Sequence, residues 1–202
     1  MILEILDREQ PSIPLVQLQL IESYLALGDK DKALSKAGVL DHVSMSDPFA
    51  NYLRAALRFL DDHPDQGRQK ILAISAMLDA TSPLQLKLVS GLIRYQEWSA
   101  AKEILIRIID SGRHHPELFF MLGICLVELG EFREAINAFE HSISLEPFQA
   151  DAYCRIGGAY IRLDDSISAI KALRRAVELQ PGHYQATRYL TQVMGLSDYY
   201  GE

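Results

Sequence analysis

Apolar side chains recur along most of the chain at steps of three and four, as in Leu118, Leu122, Leu126 and then Phe132, Ile136, Phe139, Ile143. Such steps lay an apolar stripe along one side of a helix and leave polar residues on the other, so they predict amphipathic helices. The stripes break at Gly28, Asp61-Asp62-His63-Pro64, Tyr95-Gln96, Gly130 and Asp164-Asp165, and each break separates the two helices of a pair.

The pairs repeat. ELGEFREAINAFEHSISLEP, Glu128 to Pro147, is echoed 34 residues later by RLDDSISAIKALRRAVELQP, Arg162 to Pro181. A 34-residue frame starting at Pro14 divides the chain into repeats 14–47, 48–81, 82–115, 116–149 and 150–183. An N-terminal segment, 1–13, precedes them, and a C-terminal capping helix and tail, 184–202, follows. Frame position 20 reads Ala33, Gly67, Ala101, Ala135 and Ala169, small in every repeat, as a close helix–helix approach requires. Position 7 reads Leu20, Arg54, Leu88, Leu122, Ile156 and Leu190, apolar apart from Arg54.

These positions resemble the tetratricopeptide repeat, whose signature combines an aromatic, Leu-Gly, a mid-repeat Ala, Phe, Ala and a closing Pro. Repeat four carries Phe119, Leu122, Gly123, Leu126, Ala135, Phe139, Ser142 and Pro147 at that spacing, and repeat five carries Tyr153, Ile156, Gly157, Tyr160, Ala169, Leu173, Ala176 and Pro181. Repeats one to three keep the spacing but lack the Gly at position 8 and the closing Pro. A helix pair of this kind cannot bury its stripe alone and stacks on its neighbours. The resemblance therefore implies an all-α fold, a right-handed superhelical solenoid of antiparallel helix pairs with about five repeats and a C-terminal capping helix.

In this family the first helix of each pair lines an inner groove, at positions 2, 5, 9, 12 and 13. Position 5 here reads Leu18, Tyr52, Leu86, Phe120 and Cys154; position 12 reads Leu25, Phe59, Ile93, Val127 and Ile161; and Ile124 adds an apolar residue at position 9. Two apolar ladders predict a groove that receives another protein, as an extended peptide or an amphipathic helix. Tyr52, Phe59 and Phe120 are the expected aromatic anchors. Positions 2 and 13 are Leu15, Ala26, Phe49 and Leu60 in the first two repeats but Glu117, Glu128, Asp151 and Arg162 in the last two, so the partner is expected to be greasier towards the first repeats. The apolar start, Met1, Ile2, Leu3, Ile5 and Leu6, leaves three roles open for segment 1–13: capping the first helix, filling the groove, or making a homodimer.

Composition narrows the function. The 202 residues are 49% hydrophobic and 23% charged, ample for a folded array, and the net charge of −7 comes without a basic face, so no nucleic-acid partner is expected. No apolar run reaches membrane-spanning length, and the start lacks the basic leader of a signal peptide. Cys125 and Cys154 fit no metal or disulfide framework, which points to the cytoplasm. The six histidines show no ligand spacing and are expected to be solvated; no cofactor, metal site or catalytic nucleophile is expected. The basic trio Lys171, Arg174 and Arg175 reads as a solvated outer face.

The carboxylate-gripping set of some tetratricopeptide domains, Lys and Asn at positions 5 and 9, is absent: position 9 holds Glu22, Ala56, Ser90, Ile124 and Gly158. The run ELFFMLGICLVELGEFREAINAFEHSISLEP is also similar to the small bacterial chaperones of type III secretion translocators, which hold an apolar client segment in such a groove. The expected function is thus a non-enzymatic scaffold or adaptor, with a secretion chaperone as the alternative.

Overall fold

The computed structural model describes residues 14–60 and 63–195, so the expectations placed on segment 1–13 and on the tail beyond 195 lie outside the described residues. Among the described residues there are eleven α-helices, one short 3-10 helix and no strand. First helices are α1 (Pro14–Leu27), α3 (Pro48–Leu60), α5 (Pro83–Arg94), α7 (Pro116–Glu128), α9 (Ala150–Arg162) and α11 (Tyr184–Val193). Second helices are α2 (Lys30–Ser35), α4 (Pro64–Met77), α6 (Trp98–Asp110), α8 (Phe132–Leu145) and α10 (Ser166–Leu179). The first helices start within one residue of a 34-residue step.

Local chemistry explains the ends. Pro stands in the first turn of α4, α5 and α7, where its missing N–H costs nothing. Asp29, Ser82, His115, Asp165 and His183 each accept a backbone N–H at the start of α2, α5, α7, α10 and α11. The turn between paired helices needs a left-handed residue at position 15, supplied by Gly28 (φ 73°), Gln96 (φ 61°), Gly130 (φ 79°) and Asp164 (φ 58°).

The chain divides at Ala100–Ala101, within α6, into two compact units. In the unit ending at Ala100, α1 packs on α2, the 3-10 helix (Ala37–His42) and α3, and α3 packs on α4 and α5. The expected single second helix of repeat one is instead split into α2 and the 3-10 helix. Arg54, the polar exception at position 7, explains it: its Nη2 donates to the carbonyls of Leu40 and Val43, and its Nη1 to Asn51 Oδ1 at 2.8 Å, so α3 holds the 3-10 helix and its C-cap by their carbonyls. A buried pair also locks the α4–α5 junction, where Ser75 Oγ donates to Gln85 Oε1 and Gln85 Nε2 donates to the carbonyls of Ser75, Leu78 and Asp79.

In the unit beginning at Ala101, α7 and α8, then α9 and α10, pair, α9 also packs on α8, and α11 packs on α9 and α10. Leu126, Ala135, Ile136, Phe139, Ile156 and Ala159 form one core; Cys154, Leu173, Ala176 and Ala186 form another. Each large apolar side chain buried there stabilises the stack by roughly 1.5–3 kcal/mol before chain entropy is counted. Position 20 is buried in all five repeats. Position 8 meets position 24: a Cβ on Gly123 would stand 2.5 Å from Phe139 Cε1, and one on Gly157 would stand 2.5 Å from Leu173 Cγ. The all-α architecture of antiparallel helix pairs is therefore the one implied by the sequence.

Candidate functional site

In the unit ending at Ala100, the first helices α1, α3 and α5 carry six of the expected groove residues. Leu18, Leu25 and Tyr52 are buried, whereas Phe59, Leu86 and Ile93 are half-buried. Phe59 is engaged internally: its ring stacks on Tyr95 at a centroid distance of 4.3 Å and lies where a Cβ on residue 67 would go, which is why residue 67 is Gly. Tyr52 abuts Gly91, and burial pushes its hydroxyl up to about 12. As an anchor, then, Tyr52 is sealed inside the fold, while Phe59 stays half-buried against Tyr95, because the period of the stripe sets which face a residue lies on but not how deep it sinks.

A cavity of about 340 Å³ opens beside them, lined by Glu22, Ala26, Tyr52, Leu86, Ser90 and Arg94 among others. Its rim is charged: Lys87 Nζ pairs with Glu22 and stands 5.1 Å from the centre of the Phe49 ring. This face is more polar than positions 2 and 13 implied, since Leu18 and Leu25 face inward and Glu22, Lys87 and Arg94 stand at the opening.

In the unit beginning at Ala101, α7 carries Phe120, Ile124 and Val127, and α9 carries Cys154 and Ile161. Phe120, Ile124, Val127 and Ile161 are half-buried, each resting one side on a core cluster. Phe120 meets Phe139 edge-on at 5.5 Å. Cys154 is buried among Leu173, Ala176 and Ala186 and does not reach the surface. Burial pushes its thiol up to about 11 and that of Cys125 to about 12, the reverse of what a nucleophile needs.

A cavity of about 500 Å³ lies at the start of these helices, lined by Glu117, Phe120, Glu146, Phe148, Asp151 and Leu179, among others. Phe148 is 79% exposed. The frame did not single out Glu146, Phe148 or Leu179, though a phenylalanine directly after the closing Pro147, in a turn, was a signal available in the sequence. One histidine departs from the solvated reading. His183 is buried; its Nδ1 accepts the Ala186 N–H at 3.2 Å, which leaves the proton on Nε2, 3.0 Å from Asp151 Oδ1. His114 and His141 each stack on Phe119, at centroid distances of 5.8 and 5.4 Å.

On the outer face Arg175 pairs with Glu178 at 2.9 Å, and at the end of α9 Arg162 stands 4.8 Å from the centre of the Phe132 ring on α8. Among the described residues no group of three His, Cys, Asp or Glu side chains could share a metal ion, and no helix is long and apolar enough to cross a membrane.

Two tetratricopeptide-repeat family models match the chain, one over residues 116–148 and one over 150–183. Among curated proteins, the chain is 33% identical over 78 residues to the peroxisomal targeting signal receptor of Yarrowia lipolytica, covering 38% of this chain and 13% of that protein. It is 26% identical over 113 residues to the SGT1 homolog of Oryza sativa subsp. japonica, covering 56% of this chain and 30% of that protein. The chain thus spans less than a third of these relatives. Among solved structures, YrrB, described as a TPR protein with an unusual peptide-binding site, superposes with a TM-score of 0.61 at 19% identity, over 92% of this chain and 96% of its own. The first TPR domain of Spaghetti (RPAP3), bound to an HSP90 peptide, superposes with a TM-score of 0.53 at 20% identity, over 56% of this chain and 90% of its own. Residues 116–183 therefore belong to the tetratricopeptide-repeat family, and the chain as a whole has that family's all-helical fold.

Proposed function

We propose that the chain is a non-enzymatic protein-interaction module whose first-helix faces receive a segment of another protein, either an extended peptide or an amphipathic helix. The observation that carries this reading is the row of half-buried Phe120, Ile124, Val127 and Ile161, each with one side on the core and the other open. An apolar row left open on a folded face costs free energy in water, and a partner that covers it removes that cost. Peptide-bound tetratricopeptide domains such as that of Spaghetti (RPAP3) support the same mode of use. The buried free thiols of Cys125 and Cys154 suit a reducing cytoplasm.

The test is capture from native lysate with folded variants as controls. Ile124→Glu and Leu86→Glu place a charge on each unit's open face without touching the Phe59–Tyr95 or Phe120–Phe139 contacts. The expected result is unchanged helicity by circular dichroism and loss of the captured partner from at least one variant. Unaltered capture by both folded variants would sink the reading. A client soluble only on co-expression would mark a chaperone, and a partner stable alone would mark an adaptor.

A further inference from the structure

The cavity beside Phe120 gathers three carboxylates and an exposed aromatic ring. Glu117 and Asp151 lie in the first turns of α7 and α9, where a carboxylate complements the positive end of the helix. Glu146 lies at the opposite kind of end, as the C-cap of α8, where a negative charge meets the negative pole, and its Oε2 accepts a single hydrogen bond from the neutral Gln149 Nε2 at 3.3 Å. Phe148, two residues on, leaves its ring 79% exposed. Glu146 and Phe148 both line the cavity together with Glu117, Phe120 and Asp151, and no Lys or Arg lines it. His183 fixes the Asp151 carboxylate in place by donating from Nε2.

Resting on the interaction-module reading, we propose that this cavity binds a basic segment of the partner protein, with the stem of a Lys or Arg lying on the Phe120 and Phe148 rings and its cationic head among Glu117, Glu146 and Asp151. A long basic side chain has both parts this surface asks for: an apolar stem that covers aromatic carbon and a charge that meets carboxylates. The chain uses the same pairing internally where Arg162 covers Phe132 at 4.8 Å. An acidic segment would bring like charge against three carboxylates, and a purely apolar one would cover Phe148 while desolvating them.

Three sets of short immobilised peptides, sharing the same two leucines and flanked by Lys and Arg, by Gln, or by Glu, test the proposal with the full chain. The basic set should bind roughly tenfold more tightly than the Gln set, an advantage made of three rim contacts of modest strength, and should lose that advantage at about 0.5 M salt. The variant Glu117→Gln/Glu146→Gln/Asp151→Asn, whose amide oxygen at position 151 can still accept from His183, should keep its helicity and its binding to the Gln set and lose the preference. Equal binding of the three sets, or a basic preference that survives in the triple variant, overturns the proposal and leaves the module reading standing. Failure of every set to bind contradicts both. Self-association of the chain that vanishes in the triple variant would assign the cavity to a second copy and also overturn it.

Discussion

Gly157 shows how little room the repeat leaves between its paired helices. A Cβ there would stand 2.5 Å from Leu173 Cγ and 2.7 Å from Cδ2, and Leu173 is fully buried and cannot move aside. Helix propensity favours Ala over Gly by about 1 kcal/mol, but overpacking a filled core typically costs about 1–3 kcal/mol. Gly157→Ala should therefore lower the urea midpoint, while Gly38→Ala, with nothing within 4 Å of the new Cβ, should not; a stabilised Gly157→Ala would contradict this packing. The small residues at position 20 were legible in the sequence because close approach admits few side chains, and Gly123 and Gly157 because they stand where the repeat signature has its Gly. The left-handed Gln96 and Asp164 were less so, since each occupies a conformation that glycine adopts more readily. Buried acids set a second prediction. Cys125, Cys154 and Tyr52 are pushed up to about 12, 11 and 12 by burial, whereas in the unfolded chain the thiols ionise near 9 and the phenol near 10. Below about pH 8 neither state releases these protons and stability does not depend on them. As pH rises from 9 towards 12 the unfolded chain releases protons that the folded chain keeps, so stability falls. Urea midpoints at about pH 8 and about pH 10 should show this loss, and Cys125→Ala/Cys154→Ala should show a smaller one; equal losses would contradict the burial of the thiols.

At the scale of elements, the step of the helix pairs was legible and the integrity of one helix was not. The stripe through repeat one predicted a second helix like the others, yet the segment divides into α2 and a 3-10 helix. The cause lies in the next helix, where Arg54 takes the carbonyls of Leu40 and Val43. Periodicity registers Arg54 only as a fault in position 7 and cannot reveal a bond formed 14 residues away. Arg54→Leu restores the apolar frame but takes the guanidinium away from two carbonyls; Leu40 O keeps the Val43 N–H at 3.2 Å, and the loss at Val43 O should cost about 1–3 kcal/mol. Hydrogen exchange should show lost protection across 37–43 while α4 is unaffected; a variant as stable as the parent would mean that the guanidinium bonds do not hold the segment. The Ser75–Gln85 lock was equally invisible, because its partners belong to two helices whose junction has no signature of its own.

For the whole molecule, the all-helical fold was legible because the 34-residue step and the small position 20 recur in every repeat, and the family of residues 116–183 because the repeat signature is fullest there. Depth on the expected groove was not. Position 5 is buried at Leu18, Tyr52 and Cys154 and half-buried at Leu86 and Phe120, although one rule assigned all five to the same ladder. A helical period assigns a face, and only the packing of neighbours decides whether a side chain on that face is sealed. What stays open in the unit beginning at Ala101 is Phe120, Ile124, Val127 and Ile161, together with the cavity at Phe148. Side-chain footprinting by carbene labelling, with and without the captured partner, tests that surface most directly. Labelling of Phe120, Ile124, Val127 and Ile161 should fall when the partner is added, while exposed Ile167 on the second helix α10 stays unchanged. Unchanged labelling of those four with protection confined to α8 and α10 would contradict the account.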